Sequence, residues 1–329
     1  IITGITGQDG IFLTKLLLEK SENYNIFGVG RNTKEKVFFE RLQTVSKYSQ
    51  DHSNLKLVNT DNFKEVEKLI LDIAPDQIYH LAGPSSVYQS IKYPKTRFTI
   101  TENFDYILKS VSKIKKNCRI FHASSSEMFA PSNLPLNESS PMKGNSPYAL
   151  GKLENHKKIK KISKETNLNF YSGIMFNHES EYRSNDYLIM KIILEAIKIR
   201  NGDSNSLTLG SLDYMRDWSY AEDIAEALYL VTNYGESSDY VLGSGVGTSI
   251  RYIVSFIFNY LDLDWENYLN IDKSILRKND PEIIVSDPKK INLELNWSNK
   301  VDIDRLLVKC IESRPVSYTH LTLPTTPYV

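Results

Sequence analysis

The chain has 329 residues, enough for one large domain or two modest ones with a full hydrophobic core. Its 40 lysines and arginines balance its 40 aspartates and glutamates, so it lacks the broad basic field on which non-specific nucleic-acid binding depends. No apolar run reaches the roughly 18–20 residues that cross a bilayer, no secretory signal opens the chain, and Cys118 and Cys310 are too few for a disulfide framework. We therefore expect a soluble cytoplasmic protein that binds neither nucleic acid nor membranes, and we predict no metal site.

Both ends of the chain differ from its interior. The chain begins without Met, directly in an apolar run, so we expect that a few native residues are missing. Residues 315–329 contain no Lys, Glu, Asp or Asn, although the preceding chain is rich in all four. We interpret this tail as foreign, with a native disordered tail as the alternative.

Strand and helix patterns alternate from the first residue, which is typical of a parallel sheet with crossover helices. Strands are predicted over residues 1–3, 25–29, 55–58, 77–82, 119–123, 170–175 and 207–209. Helical patterns are predicted at 11–18, 66–73, about 107–111, 147–152, 188–196, 224–228, 253–261 and 302–307. The predicted fold class is α/β, a Rossmann-type doubly wound parallel sheet with a smaller C-terminal α/β substrate-binding domain.

A glycine-rich loop separates the first predicted strand from the first predicted helix. Its three glycines follow the spacing G-x-x-G-x-x-G, which permits a tight turn next to the free N–H groups and positive dipole of a helix N-terminus. This strand–turn–helix context predicts a dinucleotide-binding site. The predicted cofactor contacts in the loop are Gly4, Thr6, Gly7, Gln8, Asp9 and Gly10.

The end of the second predicted strand indicates which dinucleotide binds. An acidic residue there would accept a hydrogen bond from the ribose 2′-hydroxyl of NAD, whereas Arg31 suits the 2′-phosphate of NADP. We therefore favour NADP, and the alternative is an arginine on a solvated loop. Asp61 and Asn62, just after the third predicted strand, lie where an adenine can be hydrogen-bonded.

Chemically reactive groups are concentrated between residues 122 and 152. Ser125 and Glu127 follow the fifth predicted strand, and Tyr148 and Lys152 are four residues apart on one face of the next helix. The arrangement indicates an acid/base site, because a nearby ammonium favours the phenolate of a tyrosine whose ordinary pKa is about 10. The alternatives are a surface glutamate and an ordinary helical Tyr–Lys pair.

Five motifs together resemble the GDP-mannose 4,6-dehydratase family of the extended short-chain dehydrogenase/reductases. They are the glycine loop, the Ser125–Glu127 tip, Ser146-Pro-Tyr148, Phe176-Asn-His-Glu-Ser180 and Arg216-Asp-Trp218. The resemblance extends from residue 1 to about 313. It implies NADP-dependent conversion of GDP-mannose to its 4-keto-6-deoxy derivative, with loss of water.

The resemblance also implies roles for individual residues and a division into domains. Residues 1–175, with a return segment at about 213–245, would form the NADP-binding domain, and 176–212 with 246–314 the nucleotide-sugar-binding domain. The implied catalytic residues are Ser125, Glu127, Tyr148 and Lys152. Further implied cofactor contacts are Leu81, Ala82, Ser85, Tyr148, Lys152, His178 and Arg183, the last reaching across subunits in a tetramer. The expected assembly is a homodimer or homotetramer. Implied substrate contacts are Ser85, Ser126, Glu127, Asn177, Lys191, Arg216 and Arg277. Of these, Asn177, Lys191 and Arg216 would hold the substrate diphosphate, with Arg277 as a further donor.

Two other functions remain open at this point. A nucleotide-sugar reductase or 4-epimerase of the same fold would use Tyr148 and Lys152 but would not require the acid/base group of Glu127. A catalytically silent dinucleotide-binding protein would require none of these groups. The sequence contains no motif that identifies guanine, and it does not distinguish a dimer from a tetramer.

Overall fold

The computed structural model describes residues 1–20, 24–31, 35–46, 54–114, 117–166, 168–277 and 280–314. The tail at 315–329 lies outside these ranges, so its interpretation as foreign stays a prediction.

Short and mostly parallel strands follow one another along the described chain. Their bounds are β1 Ile2–Thr3, β2 Ile26–Gly30, β3 Leu55–Asn59, β4 Gln77–His80, β5 Arg119–Ser125, β6 Asn169–Met175, β7 Asn177–Glu179, β8 Leu207–Leu209, β9 Met215–Tyr220, β10 Asp239–Leu242, β11 Gly247–Ser249, β12 Leu269–Ile271 and β13 Ile283–Ile284.

The main sheet has seven strands in the order β10-β6-β5-β4-β1-β2-β3. All of its pairings are parallel. The strand order changes direction between β1 and β4, so the segments after these strands diverge and leave a crevice at the carboxyl edge of the sheet. The doubly wound α/β fold predicted from the sequence is therefore confirmed.

Helices connect the strands and cover both faces of this sheet. Their bounds are α1 Gln8–Lys20, α2 Glu35–Val45, α3 Phe63–Ile73, α4 Val87–Lys92, α5 Thr96–Val111, α6 Pro147–Glu165, α7 Leu188–Asn201, α8 Ala221–Tyr234, α9 Ile250–Tyr260, α10 Lys289–Leu295 and α11 Ile303–Glu312. On one face α3, α5 and α6 pack together, with Ile107 and Ile159 buried against Ile120 of β5. On the other face α1 packs against α8, with Phe12 and Leu228 in the same buried cluster as Phe121. Because both faces of the sheet are buried, the strands are almost continuous apolar runs in the sequence.

A smaller group of strands and helices lies beside the main sheet. Strand β9 pairs with β7 and β13 in parallel and with β11 antiparallel, and β8 pairs with β12. Helices α7, α9 and α11 pack together next to them. Within β9, Arg216 pairs in register with both Thr248 and Ile284, so its position depends on segments far away in sequence.

The structure corrects the predicted elements in three places. The region after β4 contains two helices, α4 and α5, because Pro94 and its neighbours interrupt the helical run. Helices α2 and α10 were not predicted. After residue 176 the sequence predicts one strand, at 207–209, whereas the described chain contains seven there. These strands have two to six residues and mix polar with apolar side chains, so their pairing depends on distant partners.

Candidate active site

Most of the predicted site residues line one cavity of about 420 Å³ at the carboxyl edge of the main sheet. Its walls come from the segments that follow β4, β5 and β6, from β9, and from residues 275–280. The predicted residues in its lining are Asp9, Leu81, Ser85, Ser125, Ser126, Glu127, Tyr148, Asn177, His178, Arg183, Lys191, Arg216 and Arg277.

Tyr148 is held at the first turn of α6. Ser146 caps this helix by accepting a hydrogen bond from the N–H of Ala149, and Pro147 occupies the first helical position. The phenol is buried and hydrogen-bonded to Ser125, the last residue of β5. Burial raises the pKa of Tyr148 to about 12, and the charge of Glu127 adds to this, whereas the bond with Ser125 opposes it. In the protein alone, Tyr148 is therefore a neutral phenol.

Lys152 lies one turn further along α6 and is buried. Its ammonium donates a 2.7 Å hydrogen bond to the carbonyl oxygen of Ala123 in β5 and lies 5.9 Å from the centre of the Tyr148 ring. Burial lowers the pKa of Lys152 to about 8. The predicted Tyr–Lys pairing is thus present as a geometry, but burial keeps the pKa of Tyr148 above its ordinary value.

Glu127 lies in the 3₁₀ turn Ser126–Met128 that ends β5. Its backbone N–H donates to the hydroxyl of Ser125, which caps the turn. Its carboxylate is 15% exposed, and Oε1 lies 3.5 Å from Nη1 of Arg277. The strand end thus delivers a hydroxyl and a carboxylate into the same cavity as the phenol of Tyr148.

The two arginines predicted to bind a diphosphate share the carboxylate of Asp280, whose side chain is 10% exposed. Oδ1 of Asp280 lies 3.2 Å from Nη2 of Arg216 and 2.8 Å from Nη2 of Arg277. Arg216 also donates from Nη1 to the carbonyl oxygens of Met215 and Glu282. Burial lowers the pKa of Arg216, and Asp280 opposes this effect. Lys191, predicted for the same role, donates to the carbonyl oxygen of Thr208 at the cavity wall.

The predicted cofactor loop connects β1 directly to α1. Two of its glycines lie so close to other backbone atoms that a side chain would not fit there. Gly4 has φ of +77°, and a Cβ there would lie 2.8 Å from the backbone nitrogen of Ala82. A Cβ on Gly10 would lie 2.4 Å from the carbonyl oxygen of Ile5. Gly7 donates its N–H to the carbonyl of Gly4 and precedes the first residue of α1. The tight turn and the helix N-terminus match what a pyrophosphate requires.

The side chains of Gln8 and Asp9 bind the protein itself. Gln8 donates from Nε2 to the carbonyl oxygen of His178 and accepts from the hydroxyl of Ser180. Asp9 lies 3.0 Å from Nε2 of His178. The two side chains predicted as cofactor contacts therefore fix the glycine loop to β7, and they leave the backbone of the loop for a ligand.

The remaining predicted cofactor residues occupy separate places along the carboxyl edge. Arg31 directly follows β2 and is exposed. Asp61 and Asn62 follow β3, and the amide oxygen of Asn62 caps α3 by accepting from the N–H of Lys64. Ala82 donates its N–H to the hydroxyl of Thr3, which holds the end of β4 against β1. These three segments lie side by side because β3, β2, β1 and β4 are neighbours in the sheet.

Arg183 folds into the cavity of its own chain. Its Nε lies 3.2 Å from Oε2 of Glu179, and its guanidinium carbon lies 3.5 Å from the centre of the Tyr187 ring. Both contacts restrain the side chain. Burial lowers the pKa of Arg183, but the charges of Glu179, Tyr187 and Asp9 together oppose burial, and the pKa is above its ordinary value. The contact across subunits that the resemblance implies for Arg183 stays a prediction.

Three residues of the site were not predicted from the sequence. Asp280 joins the two arginines, Glu179 pairs with Arg183, and Tyr187 hydrogen-bonds through its hydroxyl with Ser85 at 2.6 Å. Tyr187 is one of 20 tyrosines in the chain, and no local pattern distinguishes it. Asp280 could have been predicted, because a carboxylate three residues after Arg277 can form an ion pair with it.

Two solved structures with this fold each hold a nicotinamide dinucleotide. DesIV (dTDP-glucose 4,6-dehydratase) from Streptomyces venezuelae, with NAD and TYD bound, superposes with a TM-score of 0.82 at 22% identity and covers 95% of both chains. RMD from Pseudomonas aeruginosa, complexed with NADPH, gives a TM-score of 0.75 at 16% identity and covers 95% of this chain and 97% of that one. At these identities the similarity establishes the fold alone.

Among the described residues, no helix combines the length and apolar character that crossing a membrane requires.

Sequence comparison gives a more specific result. GDP-mannose 4,6 dehydratase 2 of Arabidopsis thaliana is 29% identical over 323 residues, covering 95% of this chain and 85% of the relative. GDP-mannose 4,6 dehydratase of Homo sapiens is 28% identical over 340 residues, covering 95% and 90%. A family model described as GDP-mannose 4,6 dehydratase matches residues 1–310. The chain therefore belongs to the GDP-mannose 4,6-dehydratase family, whose members are hydro-lyases.

Proposed function

We propose that this protein converts GDP-mannose to GDP-4-keto-6-deoxy-mannose with NADP as a regenerated cofactor. One observation carries the proposal: the carboxylate of Glu127 lines the same cavity as the hydrogen-bonded pair of Ser125 and Tyr148. A phenol and a hydroxyl suffice for the proton transfer when a nicotinamide cofactor oxidises a sugar alcohol. A second acid/base group beside them supplies what the elimination of water from the neighbouring carbons requires.

The residues present fit a nicotinamide dinucleotide. Gly4 and Gly10 leave room for close approach only because they lack a Cβ, and the N-terminus of α1 would hold the pyrophosphate. We assign the cofactor as NADP because Arg31, directly after β2, suits a 2′-phosphate. Once bound in its oxidised form, the nicotinamide would accept a hydride from C4 of the sugar and later return it to C6.

In the first step, Tyr148 would take the proton of the sugar 4-hydroxyl through its phenolate oxygen. Its raised pKa of about 12 in the protein alone means that extra positive charge must stabilise the phenolate. Lys152, whose ammonium lies 5.9 Å from the centre of the Tyr148 ring, would contribute part of this charge, and an oxidised nicotinamide would add more. Ser125 would orient the 4-hydroxyl through the hydrogen bond that it shares with Tyr148.

In the second step, Glu127 would act on the carbon atoms next to the new ketone. The 4-ketone acidifies the C5 hydrogen, which Glu127 removes as a proton. The C6–O bond then breaks, and the leaving hydroxide departs as water after receiving a proton from Glu127. With hydride supplied to C6 by the cofactor, C5 would take a proton from solvent through Glu127, and Tyr148 would release to solvent the proton that it took from the 4-hydroxyl. The sugar would then have lost one water, with no net change in the cofactor.

The substrate class is proposed from the charges that line the cavity. Lys191, Arg216 and Arg277 supply donors for a diphosphate. Asn177 and Ser126 supply neutral polar groups near the position where the sugar would lie. We name GDP-mannose because the relatives at 28–29% identity carry that substrate in their names.

Domain organisation, assembly and location are parts of the same proposal. The pairing of β10 with β6 supports a return segment from the smaller unit to the cofactor domain. A homodimer or homotetramer is supported by an exposed apolar patch on α4 and at the start of α5, which contains Tyr88 and Phe98, each 67% exposed. We propose a cytoplasmic location on the basis of the low cysteine content.

The experiment that tests the function compares several nucleotide sugars and analyses the products by mass spectrometry. We expect GDP-mannose to yield a product lighter by one water, with no net consumption of added NADPH. A C4 epimer, or stoichiometric oxidation of NADPH, would instead identify the epimerase or reductase alternative. Failure to change any nucleotide sugar while still binding NADP would identify a silent protein.

Two variants separate the two chemical steps. Tyr148→Phe should slow oxidation at C4 by about 10²-fold or more, because it removes the proton acceptor. Glu127→Gln should leave C4 oxidation and NADP binding in place while water loss collapses. Unaltered turnover by Glu127→Gln would remove the basis for calling the protein a dehydratase.

A further inference from the structure

A second, much smaller cavity adjoins the main cavity at Glu127. Its volume is about 10 Å³, against about 420 Å³ for the main cavity. Among the described residues, Ser126 and Glu127 alone line both cavities. The turn at the end of β5 therefore forms the border between the two cavities, and the side chain of the proposed base belongs to both.

Backbone hydrogen bonds fix the walls of the small cavity. Ala130 donates its N–H to the carbonyl oxygen of Pro141, which folds the loop after β5 back on itself. Leu136 donates its N–H to the carbonyl oxygen of Val285, which ties the same loop to the segment after β13. The small cavity is thus enclosed by segments that hold one another in place. These segments are residues 126–131, 136–145 and 281–284.

The size and the lining of the small cavity fit one water molecule. A volume of about 10 Å³ is close to the least that holds a water, which also needs two or more polar partners. Ser126, Glu127 and Asn145 supply polar side chains, and the other side chains of the lining are apolar. Asn145 and Pro131 are exposed at the surface. The small cavity therefore lies between Glu127 and bulk solvent.

The proposed elimination requires a supply of protons to Glu127. The proton that Glu127 takes from C5 leaves with the hydroxide as water, so the carboxylate holds none for C5 when C6 receives its hydride. A second proton must reach Glu127 from solvent. At that stage the nucleotide sugar and the nicotinamide would occupy the main cavity and exclude water from it. Glu127 therefore needs a route to solvent that avoids the main cavity.

We propose that the small cavity binds one water molecule that connects Glu127 to solvent. Resting on the proposed function, this inference assigns to the water the supply of the C5 proton. The water would give a proton to the carboxylate of Glu127 as one of its O–H bonds breaks, and it would take another proton from bulk solvent beside Asn145. Glu127 would then pass its proton to C5, where a C–H bond forms. The water and the carboxylate are both restored.

The test compares Asn145→Leu and Ala130→Val with a matched variant, Asn133→Leu. Asn145→Leu removes a polar partner at nearly the same side-chain volume, and Ala130→Val adds bulk to the wall of the small cavity. Asn133 is an exposed residue of the same loop that lines neither cavity. Because Asn145 is exposed, its replacement leaves a folded protein to measure if Ala130→Val proves unstable.

The measurements separate the supply of protons from binding and from the first chemical step. They are GDP affinity by titration calorimetry, C4 oxidation by cofactor absorbance in a single turnover, and entry of solvent deuterium at C5 in D₂O by mass spectrometry. A blocked water site should change the third quantity and leave the first two unchanged.

For Asn145→Leu and Ala130→Val we expect deuterium entry at C5 to slow by about tenfold, which is less than the loss of the acid/base group itself would cost. GDP affinity and C4 oxidation should change by less than about threefold, because the main cavity is left intact. Asn133→Leu should match the wild type throughout. Normal deuterium entry in either folded variant would overturn the proposal, and so would an equal loss of C4 oxidation, which would indicate a disturbed loop.

A crystal structure tests the water site without turnover. In the wild-type protein with NADP and GDP bound, we expect one ordered water within hydrogen-bond distance of the side chains of Glu127 and Asn145, and no water at this place in Ala130→Val. A dry cavity in the wild type would identify a packing gap and overturn the proposal. Failure of the wild type to dehydrate GDP-mannose would overturn the proposed function, and the crystal structure would still decide whether the small cavity binds water.

Discussion

Oδ1 of Asp9 lies 3.0 Å from Nε2 of His178, and this ion pair joins the glycine loop to β7. Burial by itself raises the pKa of Asp9 and lowers that of His178, but the attraction between the two groups and their hydrogen bond outweigh it in both. The pKa of Asp9 is therefore below its ordinary value and that of His178 above it. Nδ1 of His178 lies 2.8 Å from the carbonyl oxygen of Phe176, so the charged imidazolium has a partner at each nitrogen.

This pair predicts a pH window of stability. The lowered pKa of Asp9 contributes to the free energy of unfolding. This contribution is present above pH 3.8, the ordinary pKa of Asp, and is lost as pH falls through the lowered pKa. The raised pKa of His178 gives a second contribution to the free energy of unfolding. It is fully present below pH 6.5 and is lost as pH rises through the raised pKa. Asp9→Asn should lower the free energy of unfolding by about 3 kcal/mol inside this window, because it leaves a buried charge unpaired.

Urea unfolding at several pH values measures this effect, with Lys15→Met as the control. Lys15 pairs with Glu222 from the same helix as Asp9, but both side chains are more exposed, at 21% and 39%. Its loss should cost about 1 kcal/mol or less. Equal pH profiles for wild type and Asp9→Asn would show that the buried pair does not contribute to stability.

Lys152 should make stability increase with pH in the alkaline range. Its pKa is lowered from 10.5 to about 8, so the unfolded chain binds more protons than the folded one between these values. The free energy of unfolding should therefore gain about 2 kcal/mol from this group between about pH 7.5 and about pH 9.5. Lys152→Met should lack this gain in urea unfolding. If the free energy of unfolding of the variant rises with pH as steeply as that of the wild type, burial of Lys152 is not the cause of the gain.

Gly10→Ala should destabilise the cofactor loop. The new Cβ would lie 2.4 and 2.5 Å from the backbone of Ile5, and backbone atoms cannot move aside cheaply. We expect a loss of about 1–3 kcal/mol in the free energy of unfolding together with weaker NADP binding. Gly7→Ala is the matched control for stability, because its nearest contact would be 3.3 Å. A Gly10→Ala protein as stable as Gly7→Ala would show that the loop can relax.

Arg31→Glu should reduce the preference for NADP over NAD. If Arg31 binds the 2′-phosphate, its loss should cost about tenfold or more in relative affinity, since a hydrogen bond to a charged group contributes about 1.5 kcal/mol or more. Dissociation constants of both cofactors, measured by titration calorimetry, test this. Lys36→Glu, a 90% exposed cation on α2, is the control for general charge effects. An unchanged ratio in Arg31→Glu would identify Arg31 as a solvated surface residue.

The first six strands were predictable because parallel strands buried on both faces leave long apolar runs in the sequence. Their boundaries moved by three residues or fewer, as β4 and β5 illustrate. The strands after residue 176 gave no comparable signal. Strand β9 covers Met215–Tyr220, and its charged residues Arg216 and Asp217 have partners far away in the sequence. Asp217, for example, accepts hydrogen bonds from Ser244, Gly245 and Ser286.

The sequence by itself determined the fold class, the glycine loop and the acid/base groups Ser125, Glu127, Tyr148 and Lys152, because each depends on local spacing at a strand end or on one helix. Only the tertiary structure decided how these groups are paired. It turned Gln8 and Asp9 toward β7, folded Arg183 onto Glu179, and placed Arg277 between Glu127 and Asp280. Burial likewise set the pKa of Tyr148 near 12 and that of Lys152 near 8. Desolvation and ion pairing arise from segments far apart in the chain, so no local pattern contains them.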